Sequence, residues 1–219
     1  MEMGRRYAEL GADELVYLDI TATVEQRGAW LELVKRVARE VNIPFTVGGG
    51  IRSEADVDAL LSAGADKVSV NSAAVKNPGL LDRLASRFGS QCVVLAVDAR
   101  LQSGEWWVYT HGGRRPTEKR VKDWVREGVQ RGAGEILLTS MENDGVQNGF
   151  ALQLTRMVSR AVNVPVVASG GAGNMKHFLE VFREGEADAA LAASVFHFGQ
   201  IQIPHLKSYL KENQIQVRI

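Results

Sequence analysis

The sequence predicts an α/β fold of the TIM (β/α)8 barrel type, built from two half-barrels and one strand short at its amino end. Three observations carry that prediction. Short Val-, Ile- and Leu-rich runs alternate with longer segments of helical period, the pattern of repeated βα units around a parallel sheet. The runs are continuously apolar instead of alternating, as strands buried on both faces require. The two halves of the 219-residue chain also resemble each other at a nearly constant offset. Residues 1–219 are then a single domain, with a half-barrel repeat over about 11–98 and 132–219.

Seven strands are expected in order: Glu14 to Leu18, Phe45 to Val47, Lys67 to Val70, Val93 to Val97, Ile136 to Leu138, Val166 to Ala168 and Ala189 to Ala192. Helices fill the intervals. Trp30 to Ala38 places apolar residues at i, i+3, i+4 and i+7, while Asp123-Trp124-Val125 and His177-Phe178-Leu179 belong to comparable stripes. Met1 to Leu10 reads as the remainder of a first helix. Leu101 to Pro116, with Gly104, Gly112 and Gly113 around Trp106 and Trp107, reads as a β-hairpin inserted after the fourth strand and pinned by its tryptophans. The basic run from Arg114 to Arg120 reads as a solvated loop leading into a helix.

The repeat rests on three matches. Gly11-Ala12-Asp13-Glu14 resembles Gly132-Ala133-Gly134-Glu135, 121 residues on. Pro44-Phe45 with Gly49-Gly50 resembles Pro165-Val166 with Gly170-Gly171 at the same offset, and Asp66 with Ser72 resembles Asp188 with Ser194 at 122. A counterpart of the fourth strand, 121 residues before it, would fall ahead of Met1. One strand is therefore expected to be missing from a barrel that typically needs roughly 250 residues.

Composition narrows the partners. Twenty-six basic residues balance 26 acidic ones, so no global field draws nucleic acid or an anionic membrane. The single cysteine, Cys92, excludes a disulfide framework and reads as a small core residue in a reducing cytosol. No targeting segment or spanning run is expected, so the chain reads as cytoplasmic. His111, His177, His197 and His205 lack metal-ligand spacing and read as packing or surface residues; neither metal nor cofactor is expected.

In such barrels the chemistry sits on the loops at the carboxyl ends of the strands. Gly171 lies in the Ser169 to Gly173 loop and Ser194 ends the next strand, where glycine backbone N–H groups and a helix start favour an anion. Gly50, Asn71 and Ser72 form the repeat-related set. Either set alone reads equally as tight βα turns, whereas the pair implies an elongated ligand with a phosphate at each end. Asp98 stands at the rim as a general acid or base, or as a loop cap. Asp19 and Thr139 occupy duplicated strand ends facing the mouth, and Asp144 lies in the next loop, where it reads also as an Asp-Gly turn. Glu14, Lys67 and Glu135 sit at strand starts on the opposite end and read as stabilising charge.

The segments Asp13 to Ala22, Pro44 to Ile51, Arg131 to Leu138, Ala168 to Gly173 and Ala192 to His197 resemble the cyclase subunit of imidazole glycerol phosphate synthase, a family of histidine biosynthesis. The resemblance runs from about Tyr7 to Arg218. It implies a lyase-type ring closure in which ammonia from a glutaminase partner, bound as a heterodimer, attacks a bisphosphorylated formimino-AICAR ribonucleotide and yields imidazole glycerol phosphate and AICAR. It implies that Asp98 is catalytic. It also implies that Gly50, Asn71 and Ser72 hold one phosphate and Gly171 and Ser194 the other, with Asp144 near the ligand. Glu14, Lys67 and Glu135 become the lining of an ammonia entrance. The family's first strand, with a second catalytic aspartate, has no counterpart here, so weakened turnover is expected. Two alternatives stand beside this: the isomerase of the same pathway, which shares the duplication, and a non-catalytic barrel fragment that self-associates through its open edge.

Overall fold

The computed structural model describes residues 2–18 and 27–218. In chain order the elements are α1 (Glu2–Glu9), β1 (Leu15–Leu18), α2 (Arg27–Glu40), β2 (Phe45–Gly48), α3 (Glu54–Ser62), β3 (Lys67–Val70), α4 (Ser72–Lys76), α5 (Gly79–Phe88), β4 (Val93–Gln102), β5 (Glu105–Thr110), β6 (Arg115–Arg120), α6 (Val121–Gln130), β7 (Glu135–Ser140), α7 (Leu152–Ser159), β8 (Val166–Ser169), α8 (Met175–Arg183), β9 (Ala189–Leu191), α9 (Ser194–His197) and α10 (Ile203–Glu212). All seven expected strands are present. They pair in parallel in the order β1-β2-β3-β4-β7-β8-β9, each βα unit laying its strand beside the previous one, and the fold is a TIM-type α/β barrel. Among the described residues no helix is long and apolar enough to cross a membrane.

Local chemistry sets the element boundaries. Ser53 caps α3 by accepting from the Asp56 N–H at 3.3 Å, while the Asp56 carboxylate accepts the Ser53 N–H at 3.0 Å, a reciprocal box that satisfies two orphan donors. Asn174 caps α8 one way only, its side chain accepting from the His177 N–H at 3.3 Å. The halves also match in geometry. The Asp66 carboxylate accepts the Phe45 N–H at 2.9 Å before β2, and 121 to 122 residues on the Asp188 carboxylate accepts the Val166 N–H at 2.9 Å before β8.

Packing fixes which face of each strand looks inward. A Cβ on Gly128 in α6 would lie 2.3 Å from a Leu95 methyl, so Leu95 points at the helices. Side chains alternate along a strand, so Val94, Ala96 and Asp98 point into the barrel lumen. Trp124, Leu81 and Leu84 are fully buried in the layer between sheet and helices.

Two expectations at the insertion change. Strand β4 continues past the barrel wall to Gln102 and pairs antiparallel with β5, and the Arg115–Arg120 run is strand β6 of that hairpin instead of a solvated loop. Pairing reaches that far because the Arg120 guanidinium stacks over Trp107, with 5.6 Å to the ring centroid, and Trp106 packs on the core. Cys92 lies half-buried in a short 3₁₀ turn ahead of β4 and is not a closed core position.

Candidate active site

Strand geometry assembles a site at each end of the lumen. At the amino ends, Lys67 starts β3 and Glu135 starts β7, while Glu14 immediately precedes β1. The Lys67 ammonium donates to Glu135 Oε2 at 2.6 Å and to both Glu14 oxygens at 2.9 and 3.2 Å. Burial alone would lower the lysine's pKa, but the hydrogen bonds it donates to Glu135 and Glu14, and their negative charge, outweigh it and hold the pKa above the ordinary lysine value. The three residues foreseen as a charge cluster are thus one connected triad.

At the carboxyl ends the lumen opens into a mouth. Asp98 lies beside Thr139 in the β4–β7 register and is mostly buried. Desolvation pushes its carboxyl up to about 6; hydrogen bonds from the Gly113 N–H and the Asn71 amide pull it down, and the charge of Asp144 pushes it up again. Asn71 Nδ2 donates to Asp98 Oδ2 at 3.0 Å, while Asn71 Oδ1 is buried with no partner. A carboxyl titrating near neutrality beside an open acceptor suits proton transfer in either direction.

The two glycine–serine sets flank this carboxylate. Gly49 and Gly50 follow β2 and Ser72 follows β3; Gly170 and Gly171 follow β8 and Ser194 follows β9. Strands β4 and β7, which carry Asp98 and Thr139, stand between the two sets in the strand order. The glycines answer a backbone need in both sets, with φ of +92° and +66° in one and +89° and +106° in the other. Gly171 has a second reason, because a Cβ there would lie 2.0 Å from the Gly149 carbonyl oxygen. Asp144 packs on the same loop, its Cα 3.2 Å from where a Gly170 Cβ would stand. Asp19 lies outside the described residues.

Several participants were not foreseen. The tip of the β5–β6 hairpin folds back over the mouth, so that the His111 N–H donates to Ser72 Oγ at 3.0 Å and the Gly113 N–H reaches Asp98. His177, read as a packing residue, accepts the Gly173 N–H at 3.1 Å and so shapes the second glycine loop. Asn143 ties the β7–α7 loop down by donating to the Gly149 carbonyl at 2.8 Å, and Gly149 N–H donates to Gly171 at 2.8 Å. His111, Gly113 and Gly149 reach residues of other loops that meet them only in the closed fold, whereas His177 with Gly173 and Asn143 with Gly149 are local contacts.

Residues 1–202 match the model of a family described as histidine biosynthesis protein. The chain is 58% identical over 218 residues to the imidazole glycerol phosphate synthase subunit HisF of Cytophaga hutchinsonii, covering 100% of this chain and 87% of that protein. It is 57% identical over 219 residues to the proteins of the same name from Flavobacterium johnsoniae and Phocaeicola vulgatus, with the same coverage of 100% and 87%.

Proposed function

From the premise that this chain belongs to the imidazole glycerol phosphate synthase subunit HisF family of histidine biosynthesis, the cyclase and lyase subunit of that enzyme, we propose how its residues carry the reaction. Gly50, Asn71 and Ser72 hold one phosphate of the bisphosphorylated formimino-AICAR ribonucleotide, and Gly171 and Ser194 hold the other. The substrate lies across the mouth with its reacting atoms over β4 and β7. Asp98 moves the protons of imine formation, bond cleavage and ring closure, with Thr139 and Asp144 beside it. Ammonia released by a glutaminase partner, bound as a heterodimer at the amino-end face, enters past Glu14, Lys67 and Glu135. The products are imidazole glycerol phosphate and AICAR, made in the cytoplasm.

The observation that carries this reading is the position of Asp98 on the lumen face, between the two glycine–serine sets. By the strand register, Thr46, Ser69, Val94, Ala96 and Leu137 share the lumen face between the triad and Asp98. The test mixes the purified chain, its bisphosphate substrate and an ammonium salt, and follows AICAR release. Turnover that falls by about 10²-fold or more in Asp98→Asn supports the role, given what general acid–base catalysis contributes. Turnover undiminished by that change removes it.

A further inference from the structure

Each serine of the mouth accepts a hydrogen bond from a loop that crosses to it. The His111 N–H donates to Ser72 Oγ at 3.0 Å, and Gln147 Nε2 donates to Ser194 Oγ at 3.4 Å, a longer contact than an ordinary N–H···O bond. Both donor residues have left-handed backbone, φ +55° for His111 and +60° for Gln147. Non-glycine residues adopt that conformation at a cost, and it persists only where the surroundings impose it. Here they do. The Gln147 carbonyl oxygen lies 2.1 Å from where a Gly173 Cβ would be, and Gly149 N–H bonds to Gly171, so the segment is pressed onto the second glycine loop.

The chemistry of a hydroxyl gives these contacts a use. A serine carries one proton and two lone pairs, so an N–H donated into a lone pair leaves the proton to be given to something else. A phosphate oxygen accepts and never donates. The Gln147 amide is itself fixed, because Nε2 spends its other proton on Gln200 Oε1 at 3.2 Å. We propose that Gln147 and His111 are positioning residues for the two phosphate ends of the substrate, each orienting a serine hydroxyl so that it meets the anion as a ready donor. This rests on the assignment of Ser72 and Ser194 to the phosphates. In Gln147 the side chain acts; in His111 only the main chain does.

The test is calorimetric titration of the bisphosphate substrate in the absence of ammonia, so that no turnover intervenes. Ser194→Ala weakens binding. Gln147→Leu, which keeps the bulk and loses the donor, weakens it by about threefold to tenfold, the worth of one neutral hydrogen bond. The double variant binds no more weakly than Ser194→Ala alone, since the glutamine works through that hydroxyl. Gln147→Met keeps the length without the donor or any charge, carries the same expectation, and serves if the leucine variant does not fold. His111→Val, which disfavours the left-handed backbone that aims the N–H at Ser72, weakens binding.

Unchanged binding in Gln147→Leu beside weakened binding in Ser194→Ala overturns the inference and leaves the phosphate assignment standing. Independent losses that multiply in the double variant overturn it as well. Parent-like binding in Ser194→Ala, or no binding by the parent, removes the phosphate assignment and the inference with it.

Discussion

Asn71 Nδ2 donates to Asp98 Oδ2 across 3.0 Å, joining a residue of one glycine–serine set to the carboxylate at the rim. That bond favours the charged carboxylate, and the Gly113 N–H acts in the same direction against the burial that raises Asp98 to about 6. Removing the amide in Asn71→Ala therefore raises the Asp98 pKa further. A charge-assisted bond of about 1.5–3 kcal/mol corresponds to roughly one to two pH units. The expected outcome is a pH profile of kcat/KM, at constant free ammonia, whose acidic limb moves upward, so that the loss is greater at pH 6.5 than at pH 8.5. A uniform loss at all pH values would show that Asn71 does not tune the carboxylate.

The same burial makes Asp98 a cost to the fold. Its pKa rises from 3.8 to about 6 on folding, so the native state prefers the protonated form. The charged form is therefore destabilising. Stability from this group is fully present below about 4, falls as pH rises through 6, and is constant above that. Asp98→Asn, neutral and of the same shape, is expected to be more stable than the parent by about 2–3 kcal/mol at pH 8 and no more stable at pH 3.5. Urea unfolding at the two pH values measures it. An equal difference at both would contradict the linkage.

The seven strands were legible because burial on both faces writes a continuous apolar run, and the two loop sets were legible because the backbone there needs glycine. Asp98 followed from its place just past such a run. Gln147 was not legible, since its partner Ser194 lies on another loop and no periodicity relates them, and His177, only four residues from Gly173, was not, since a lone histidine gives no signal that its ring accepts a main-chain N–H. The Arg115–Arg120 strand was missed for a different reason. Its charged residues carry no apolar signal, and its extended form is imposed by β5 and by stacking on Trp107. His111 joined the site only through its main-chain N–H, which side-chain chemistry does not announce.

Lys67 sits between two carboxylates, of which Glu135 is largely buried. Lys67→Ala leaves Glu14 and Glu135 facing each other uncompensated, and is expected to destabilise the protein by about 1–3 kcal/mol at pH 7, below the full cost of a deeply buried pair because Glu14 is partly solvated. The raised lysine pKa means that this contribution is intact up to the ordinary lysine value of 10.5 and is lost only as pH rises above it. Glu135→Gln keeps an acceptor for Lys67 and is expected to cost less. Chemical denaturation of the two variants decides the order, and a Glu135→Gln variant less stable than Lys67→Ala would reverse it.

Gly145 and Gly171 separate backbone strain from lost space. Both have left-handed backbone, with φ of +76° and +106°, yet a Cβ on Gly145 meets nothing within 4 Å while one on Gly171 meets the Gly149 carbonyl oxygen at 2.0 Å. Gly145→Ala then pays only for its conformation, about 1–2 kcal/mol. Gly171→Ala pays that and must also displace main chain, breaking the Gly149–Gly171 hydrogen bond that holds the β7–α7 loop against the second glycine loop. Because that loop carries Asp144 and Gln147, the damage reaches the site. Gly171→Ala is expected to lose more stability than Gly145→Ala and to raise KM for the bisphosphate substrate by at least about tenfold, a loss of 1.4 kcal/mol, while Gly145→Ala leaves KM within about twofold. Equal effects of the two changes on KM would mean that the close approach at Gly171 does not shape the phosphate end.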